Sequence, residues 1–418
     1  MKKEQEKRAP SKMRLYLMMA ALGLAYFFSN FHRLSLGVLG DVMAADFGLS
    51  AAELGILGSA FFYTYAVMQI PSGVLSDKVG TKYLISGSCL ISGIATIWFE
   101  HSGFVEGLIA ARAVTGLAVA FVYVPALGAI RYWFGDKRLG TMTGLLVAMG
   151  QIGAVSASAP LKLVSDALGW RDSFAVIGYV SLGLCLLAVF TILNPAKKKG
   201  VVREKKRGEW KTAFRPAAFC ICIWFFFTGG ARLSFQSLWG NEFFTTYLKN
   251  TPMESSTNLM WISIGCIFGA MVLGRVSDKL GSVRTLVLST AVYALIWLSM
   301  LTLNPGSPRI FMALNSFAIG FFGAGSFTVG FTCVREFATA SNTGFLTGVN
   351  NCGCFLGSAV FTQVCGSFVE LFPDSHQGFF WLLIGFAALC ILSAFLVGIL
   401  NREKVFARKE EQVLQEER

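Results

Sequence analysis

The sequence predicts an all-α membrane protein with twelve transmembrane helices in two pseudo-symmetric six-helix bundles. Three observations indicate this class: the composition, the length of the apolar runs and a turn that is repeated. Of 418 residues, 54% are hydrophobic and 14% are charged, and the mean hydropathy is +0.60. An ordinary soluble domain has about 25% charged residues, so the composition already favours a membrane protein.

Apolar runs of about 20 residues or more recur along the chain, and each can cross a hydrocarbon core about 30 Å thick as a helix. They are continuous, whereas a membrane β-barrel needs alternating segments of about ten residues. The first run has no small-residue cleavage site, so we expect it to remain in the protein. The predicted spans are residues 15–40, 51–76, 83–100, 104–127, 141–165, 172–194, 216–244, 256–276, 284–303, 309–331, 341–366 and 378–400.

The loops differ in their content of Lys and Arg. If the amino terminus is cytoplasmic, the cytoplasmic segments hold 29 of the 36 Lys and Arg residues. This bias predicts that both termini lie on the cytoplasmic side of a plasma or bacterial inner membrane. Contact with anionic lipid explains the net charge of +12, so no nucleic-acid partner is needed.

The predicted domain plan follows from these spans. One polar segment lies at each end of the chain, and a third segment links the two bundles. This linker is strongly basic. We expect this linker to be a solvated loop against lipid headgroups, with recruitment of a partner as the alternative. The segments are a tail over 1–14, a bundle over 15–194, the basic linker over 195–215, a second bundle over 216–400 and a tail over 401–418.

Several kinds of chemistry find no support in the sequence. The ten Cys lie nearly all in apolar spans, and close pairs such as Cys220 and Cys222 have one intervening residue, which is not the spacing of a zinc or redox site. No phosphate-binding GxxxxGK[ST] loop is present. We therefore expect a protein that is not an enzyme and needs neither a metal nor a cofactor. We also expect a monomer.

A charged turn occurs twice, as "GVLSDKVGTK" from residue 73 and as "GRVSDKLGSVR" from residue 274. Each copy follows the second span of a six-span half, which indicates two similar halves related by an axis along the membrane normal. Glycine permits a tight turn, and Asp can cap a helix. The residues expected to form this conformational gating motif are Gly73, Asp77, Gly80, Lys82, Gly274, Asp278 and Gly281.

The first copy resembles the motif G-x-L-x-D-x-x-G-x-[RK] of the major facilitator superfamily of secondary transporters. The fourth span is similar to a second motif of this family, L-x-x-x-R-x-x-x-G, at Leu108, Arg112 and Gly116. The resemblance covers nearly the whole chain and implies the major facilitator fold and a transport function. In the fifth span "SASAP" stands where drug antiporters of the family usually have a glycine-proline close, which argues against a drug exporter.

Three arginines lie inside predicted spans, where a charge costs at least about 2.5–3.5 kcal/mol. Arg33 lies 40 residues before the first turn motif and Arg232 lies 42 residues before the second, so we expect them to face each other across the central cavity. Guanidinium groups suit the bidentate binding of carboxylate or phosphate. We therefore expect this pair to bind an organic anion. The alternative is that each arginine is a structural group satisfied by backbone carbonyls or by polar neighbours. For Arg112, structural and coupling roles stay open.

This arrangement resembles two branches of the superfamily. Organophosphate:phosphate antiporters have one arginine on the first span and one on the seventh. Anion:cation symporters carry a first-span pattern N-Y-x-D-R-x-x-x-S, which "NFHRLSLGV" matches at Asn30 and Arg33, but with His32 in place of Asp. Val119 stands where their fourth span often has Glu. His32 is therefore a candidate for proton coupling, because imidazole titrates near physiological pH, with a structural hydrogen bond as the alternative.

Uncharged side chains extend the predicted substrate site by helical spacing. Amides can donate to or accept from the hydroxyl or carbonyl groups of a substrate, and the alternative is that they hold helices together. The residues added in this way are Tyr26, Asn30, Gln151, Gln236, Trp239, Asn350 and Asn351.

The prediction is a secondary active transporter for a small organic anion, either a carboxylate, a sugar acid or a phosphate ester. It would work by alternating access, with a proton or a counter-anion as the second partner. The alternative is a transporter-like anion sensor. A cationic drug exporter is less favoured because the nearest acidic residues, Asp41 and Glu242, lie close to the outer ends of their spans.

Overall fold

A computed structural model describes residues 10–194, 216–338, 343–372 and 374–416, and these described residues contain no β-strand. Twelve of the described helices are long and apolar enough to cross a membrane, which confirms the predicted number. The predicted basic linker at 195–215 lies outside the described residues. The helix of the last span continues into the predicted tail as far as Glu416.

Most spans are single helices, and several consist of helical pieces separated by short breaks. In the first half they are Lys12–Leu34 with Leu36–Phe47 (span 1), Ala51–Val79 (span 2), Thr81–His101 (span 3), Val105–Val119 with Tyr123–Phe134 (span 4), Asp136–Ser156 with Ala159–Leu168 (span 5) and Trp170–Thr191 (span 6). In the second half they are Pro216–Trp224, Phe225–Gly229, Gly230–Ser234, Phe235–Trp239, Gly240–Glu242 and Phe243–Tyr247 (together span 7), Pro252–Leu280 (span 8), Ser282–Ser299 with Met300–Thr302 (span 9), Arg309–Phe337 (span 10), Thr343–Glu370 (span 11) and Ser375–Glu416 (span 12).

Spans 2 and 8 begin in the same way, which shows that the repeat is structural. The hydroxyl of Ser50 accepts from the backbone N–H of Glu53, whose carboxylate accepts from the backbone N–H of Ser50. Thr251 and Glu254 form the same reciprocal cap 201 residues later. Such a cap satisfies two backbone donors that a helix start otherwise leaves free, so both 29-residue helices begin at a defined residue.

The two spans also end alike, at Gly80 with φ +96° and at Gly281 with φ +86°. These φ values suit glycine because it has no Cβ. The N–H of each glycine donates to the carbonyl of Ser76 or Ser277, respectively. The predicted turn is therefore shorter than expected: residue 73 lies inside the helix, and only Gly80 and Gly281 form the tight turn.

Span 7 contains three π-helical stretches, Phe225–Gly229, Phe235–Trp239 and Phe243–Tyr247. The first two flank Arg232. A π-helical turn takes an extra residue and is common at functional sites. Arg232 lies 42 residues before Gly274, whereas Arg33 lies 40 residues before Gly73. The wider turns of span 7 accommodate the two added residues, and the arginine stays in the membrane interior.

The two halves pack closely at one face of the membrane. We call the face that holds Gly80 and Gly281 the turn face, and the opposite one the far face. Near the far face, a Cβ placed on Gly37 of span 1 would lie 2.8 Å from the carbonyl oxygen of Ser237 in span 7. Near the turn face, a Cβ on Gly144 or Gly348 would meet no atom within 4 Å. The close backbone contact between the halves at Gly37 thus lies near the far face.

Candidate functional site

Arg33 lies at the centre of span 1, where contacts from both halves orient its guanidinium group. Its Nη1 donates to Asn30 Oδ1 at 3.1 Å, and its Nη2 donates to the Tyr65 hydroxyl at 3.1 Å. The guanidinium carbon lies 5.0 Å from the centre of the Tyr65 ring and 4.8 Å from that of Phe355. Phe355 belongs to span 11, so the first-half cation is packed against the second half.

Arg232 lies at the corresponding depth of span 7 and is 9% exposed. Its Nη1 donates to Gln236 Oε1 at 3.0 Å and contacts Cys266 Sγ at 3.7 Å. Gln236 in turn donates to the Ser263 hydroxyl at 2.9 Å, so one amide links the cation to span 8. Room for the side chain depends on Gly323, since a Cβ there would collide with the Arg232 side chain.

Among the described residues, neither Arg33 nor Arg232 forms an ion pair. Within the described part of the chain, the carboxylates that form ion pairs do so with other cations. The Nε atoms of Arg33 and Arg232 are buried without a hydrogen-bond partner. On span 11, Cys354 would collide with a Cβ on Gly229, three residues before Arg232, and the next residue, Phe355, packs on the Arg33 guanidinium group. The structure therefore brings the predicted pair to one region, as two uncompensated cations in a medium that penalises isolated charge.

The predicted residues on spans 1 and 5 are neighbours. Asn30 Nδ2 donates to the Tyr26 carbonyl at 3.0 Å, and the Tyr26 ring lies 5.0 Å from that of Tyr123. A Cβ on Gly150 would lie 2.7 Å from Asn30 Nδ2, so the two helices approach closely there. Gln151 is half-buried beside this contact.

The two adjacent asparagines of span 11 have different surroundings. Asn351 Nδ2 donates to Gln69 Oε1 of span 2 at 2.7 Å, which forms an amide bridge between the halves. Asn350 is buried, and its Nδ2 donates to the Leu346 carbonyl at 2.7 Å. Its Oδ1 is buried without a partner and remains available to a donor.

Trp239 lies in the packing between spans 7 and 11. It is 1% exposed, and its indole N–H donates to the Thr362 carbonyl at 2.8 Å. Because indole has a single donor, this side chain has no free hydrogen-bonding group in the present conformation. The surroundings of Trp239 thus differ from those of the two arginines, although it lies seven residues from Arg232 along the same span.

Arg112 and His32 contact each other through the backbone of span 1. Arg112 Nη1 donates to the His32 carbonyl oxygen at 2.9 Å, and its guanidinium carbon lies 4.9 Å from the centre of the Phe61 ring. The His32 side chain is 1% exposed, and its Nε2 has no hydrogen-bond partner. Arg112 therefore holds the backbone of the residue that precedes Arg33.

The predicted gating motif forms the ends of helices at the turn face. The backbone N–H of Lys82 donates to Asn194 Oδ1 at 2.8 Å, which ties the start of span 3 to the end of span 6. Asp278 lies in the last turn of span 8, before Gly281. The side chain of Asp77 lies outside the described residues.

The residues that contact the predicted site but were not predicted include Tyr65, Gln69 and Phe355. Tyr65 and Gln69 are four residues apart in span 2, which puts two polar groups on one helical face. This spacing is the one feature of the sequence that could have predicted both residues as part of the site. Nothing in the sequence distinguishes Phe355 from the other 37 Phe residues, because its role depends on packing between the halves.

Comparison with known proteins places the chain among membrane transporters. The probable sulfoacetate transporter SauU of Cupriavidus necator is 30% identical over 194 residues, which are 46% of this chain and 45% of that protein. The alignment thus spans about half the length of this relative. The membrane sensor protein UhpC of Salmonella typhimurium is 22% identical over 392 residues, which are 88% of this chain and 87% of the sensor.

A solved structure has the same fold. The D-xylose–proton symporter superposes with a TM-score of 0.76 at 13% identity, covering 92% of this chain and 97% of that one. The family model of the Major Facilitator Superfamily matches residues 22–248 and 233–416. The twelve spans, the repeated half and these matches agree, and the chain is an integral membrane protein that belongs to the Major Facilitator Superfamily.

Proposed function

We propose that this protein is a secondary active transporter that binds a small organic anion between Arg33 and Arg232. The observation that carries the proposal is the pair of guanidinium groups, one from each half, that have no carboxylate partner among the described residues and keep buried Nε donors free. An anion would supply the missing charge and accept these N–H groups. Charge-assisted bonds of this kind are about twice as strong as neutral ones.

Alternating access follows from where the halves touch. They are packed together near the far face, at Gly37 and Ser237, and we propose that they separate more readily near the turn face. A substrate that contacts one arginine from each half favours the closure of the cavity around it, since it interacts with both halves at once. The Lys and Arg bias favours a cytoplasmic turn face, so we propose that the cavity opens to the cytoplasm when the halves are packed at the far face, in a plasma or bacterial inner membrane.

Carboxylates, sulfonates, sugar acids and phosphate esters are the substrate classes that suit this site. All present oxygen atoms that match the guanidinium donors. The relative from Cupriavidus necator is named for sulfoacetate, which has an anionic group at each end. Asn30, Gln151, Gln236 and Asn350 are proposed to contact the neutral part of the substrate, with Tyr26 beside them.

The direct test is uptake of a labelled anion into proteoliposomes, with sulfoacetate, a sugar acid and a phosphate ester as probes. Arg33→Lys and Arg232→Lys keep the positive charge and remove the planar donor set. We expect each to lower kcat/KM by at least about 30-fold, because disrupting one partner of a buried charged pair costs about 2–5 kcal/mol.

Arg309→Lys is the matched control, since Arg309 lies on the surface with an 87% exposed side chain and pairs with Glu254. We expect this variant to transport normally. Full activity in both Arg33→Lys and Arg232→Lys would contradict the proposed site.

Coupling to a second solute is needed for accumulation, and the proposal includes a proton or a counter-anion in this role. His32 and Arg112 are the coupling candidates on span 1 and span 4. Collapse of a proton gradient by an ionophore and preloading with the unlabelled anion distinguish symport from exchange. Symport loses accumulation in the first case, whereas exchange gains rate in the second.

A transporter-like anion sensor is the second candidate, because the sensor relative aligns over most of its length. This reading predicts that the anion raises the melting temperature while vesicles preloaded with the same anion show no counterflow. Counterflow with wild-type protein would exclude a sensor without transport.

A further inference from the structure

A chain of hydrogen bonds runs from Arg232 to the opposite half of the protein. Arg232 Nη1 donates to Gln236 Oε1 at 3.0 Å, and Gln236 Nε2 donates to the Ser263 hydroxyl at 2.9 Å. The hydroxyl oxygen of Ser263 lies 3.5 Å from the Ala154 carbonyl oxygen of span 5 and 3.5 Å from the Leu259 carbonyl oxygen of its own helix. One fully buried serine of span 8 therefore lies between the second-half arginine and the first half.

The positive charge of Arg232 sets the direction of this chain. A guanidinium group can only donate hydrogen bonds, so the amide oxygen of Gln236 must face it and the amide NH2 group must face Ser263. The Ser263 hydroxyl then accepts from Gln236, and its own proton is left for a carbonyl oxygen. Each donor thus points away from the cation and toward the first half.

The Ala154 carbonyl can accept this proton because the helix of span 5 is broken beside it. In an unbroken helix the backbone N–H of Ser158 would donate to Ala154, but it donates to the Val155 carbonyl at 3.1 Å. The Ser158 hydroxyl reaches the Ala154 oxygen at 3.3 Å, which leaves the second lone pair for Ser263. The Leu259 carbonyl, in contrast, has the backbone N–H of Ser263 as its regular helical partner. Ala154 is therefore the acceptor that needs the hydroxyl.

The repeat of the fold does not require a hydroxyl at this place. The equivalent position of the first half, 201 residues earlier, is Phe62, whose ring lies 6.5 Å from that of Phe355 in span 11. A buried hydroxyl is unfavourable unless it forms hydrogen bonds. Ser263 thus provides a polar contact between spans 5 and 8 where the corresponding residue of span 2 makes an aromatic contact with span 11.

We propose that Ser263 is a positioning residue that holds span 8 to span 5 while Arg232 carries no anion, and that anion binding releases this contact. An anion is a stronger acceptor for a guanidinium group than a neutral amide is, so it withdraws Nη1 from Gln236. The freed amide turns its oxygen to Ser263, whose hydroxyl then donates to Gln236 and leaves Ala154. The inference rests on the proposed function and adds how occupancy of the site acts on the contact between the halves.

This release favours reorientation of the loaded protein over that of the empty one. The empty protein must break the bond between Ser263 and Ala154 before spans 5 and 8 can separate, whereas the loaded protein has already lost it. Ser263→Ala removes this difference. Net efflux from proteoliposomes into anion-free medium should therefore rise relative to exchange by about three- to tenfold, the factor that corresponds to one neutral hydrogen bond. An unchanged ratio would contradict the inference.

The decisive measurement is the Kd of the purified full-length protein in detergent by isothermal titration calorimetry, with sulfoacetate, gluconate and glucose 6-phosphate as probes. The hydroxyl of Ser263 makes two bonds in the empty protein and one in the loaded protein. Ser263→Ala should therefore bind the anion about three- to tenfold more tightly than wild type. A serine that only fills space would leave the Kd unchanged or raise it when replaced. Ser263→Thr keeps the hydroxyl and should bind as wild type does.

Ser256→Ala is the matched control, since Ser256 is a buried serine of the same span whose hydroxyl donates to the Pro252 carbonyl of its own helix at 2.8 Å. This variant should keep the Kd of wild type. If Ser263→Ala does not fold, Ser263→Cys keeps a side chain of similar size with only a weak donor and acceptor, and it should also bind more tightly.

Unchanged or weaker binding by the folded Ser263→Ala or Ser263→Cys variant, or tighter binding by Ser263→Thr, would overturn the inference while the proposed function stands. Absence of binding of all three probes to wild type would contradict the proposed function, and the inference with it.

Discussion

Substitution of Tyr65 tests how the structure orients the first-span arginine. Tyr65 makes two contacts with Arg33: its hydroxyl accepts from Nη2 at 3.1 Å, and its ring faces the guanidinium carbon at 5.0 Å. Tyr65→Phe removes the first contact and keeps the second. The ring also packs 4.3 Å from that of Phe355, and this packing is retained in the Phe variant.

The size of the effect follows from these contacts. A hydrogen bond to a charged group contributes about 1.5–3 kcal/mol, and the lower end applies because water in the open cavity can take the freed N–H. We therefore expect Tyr65→Phe to raise the KM for the anion about tenfold. Tyr65→Leu also removes the ring, which adds about 1 kcal/mol of lost cation–π contact and raises KM about a further fivefold.

The assay is the initial rate of uptake into proteoliposomes over a range of anion concentrations, so that KM and kcat are separated. Tyr179→Phe is the control, since Tyr179 lies on span 6 and is 61% exposed. If both Tyr65 variants had the KM of wild type, Tyr65 would not orient the arginine during transport. Equal KM values for Phe and Leu, both raised, would refute the contribution of the ring.

Two further substitutions test the packing of the halves and the support of span 1. Gly37→Val places a side chain against the backbone carbonyl of Ser237, 2.8 Å from the new Cβ, so both uptake and the melting temperature should fall. Gly183→Val, which meets nothing within 4 Å, should keep both, and normal uptake and stability of the first variant would contradict close packing at Gly37. Arg112→Lys loses the bond to the His32 carbonyl and should reduce stability by about 1.5–3 kcal/mol; an unchanged melting temperature in detergent would show that this bond contributes nothing.

Composition and repeat length were enough to establish the fold. A helix that crosses the bilayer must be about 20 residues long and apolar, so each span can be recognised from its own residues. The turn glycines are local too, because a positive φ is a property of one residue. The two arginines could be found by counting back from the turns, since a charge inside an apolar run is rare.

The tertiary structure decided which faces of these helices meet. Trp239 and Gln236 are both on span 7, yet one donates to a carbonyl of span 11 and the other contacts Arg232. The π-helical stretches change the direction of side chains along this span, so spacing of 3.6 residues per turn does not predict it. The binding roles of both residues, and of the amides on spans 5 and 11, stay predictions.

The far ends of spans 1 and 7 show the same division. The sequence by itself determined that Asp41 and Asn241 lie near the ends of corresponding helices of the two halves. Only the tertiary structure decided that Asn241 donates a hydrogen bond to Asp41, because contact between residues 200 positions apart depends on how the two halves pack. Local sequence sets the length, polarity and turns of each helix, whereas hydrogen bonds between halves depend on the three-dimensional arrangement of all twelve.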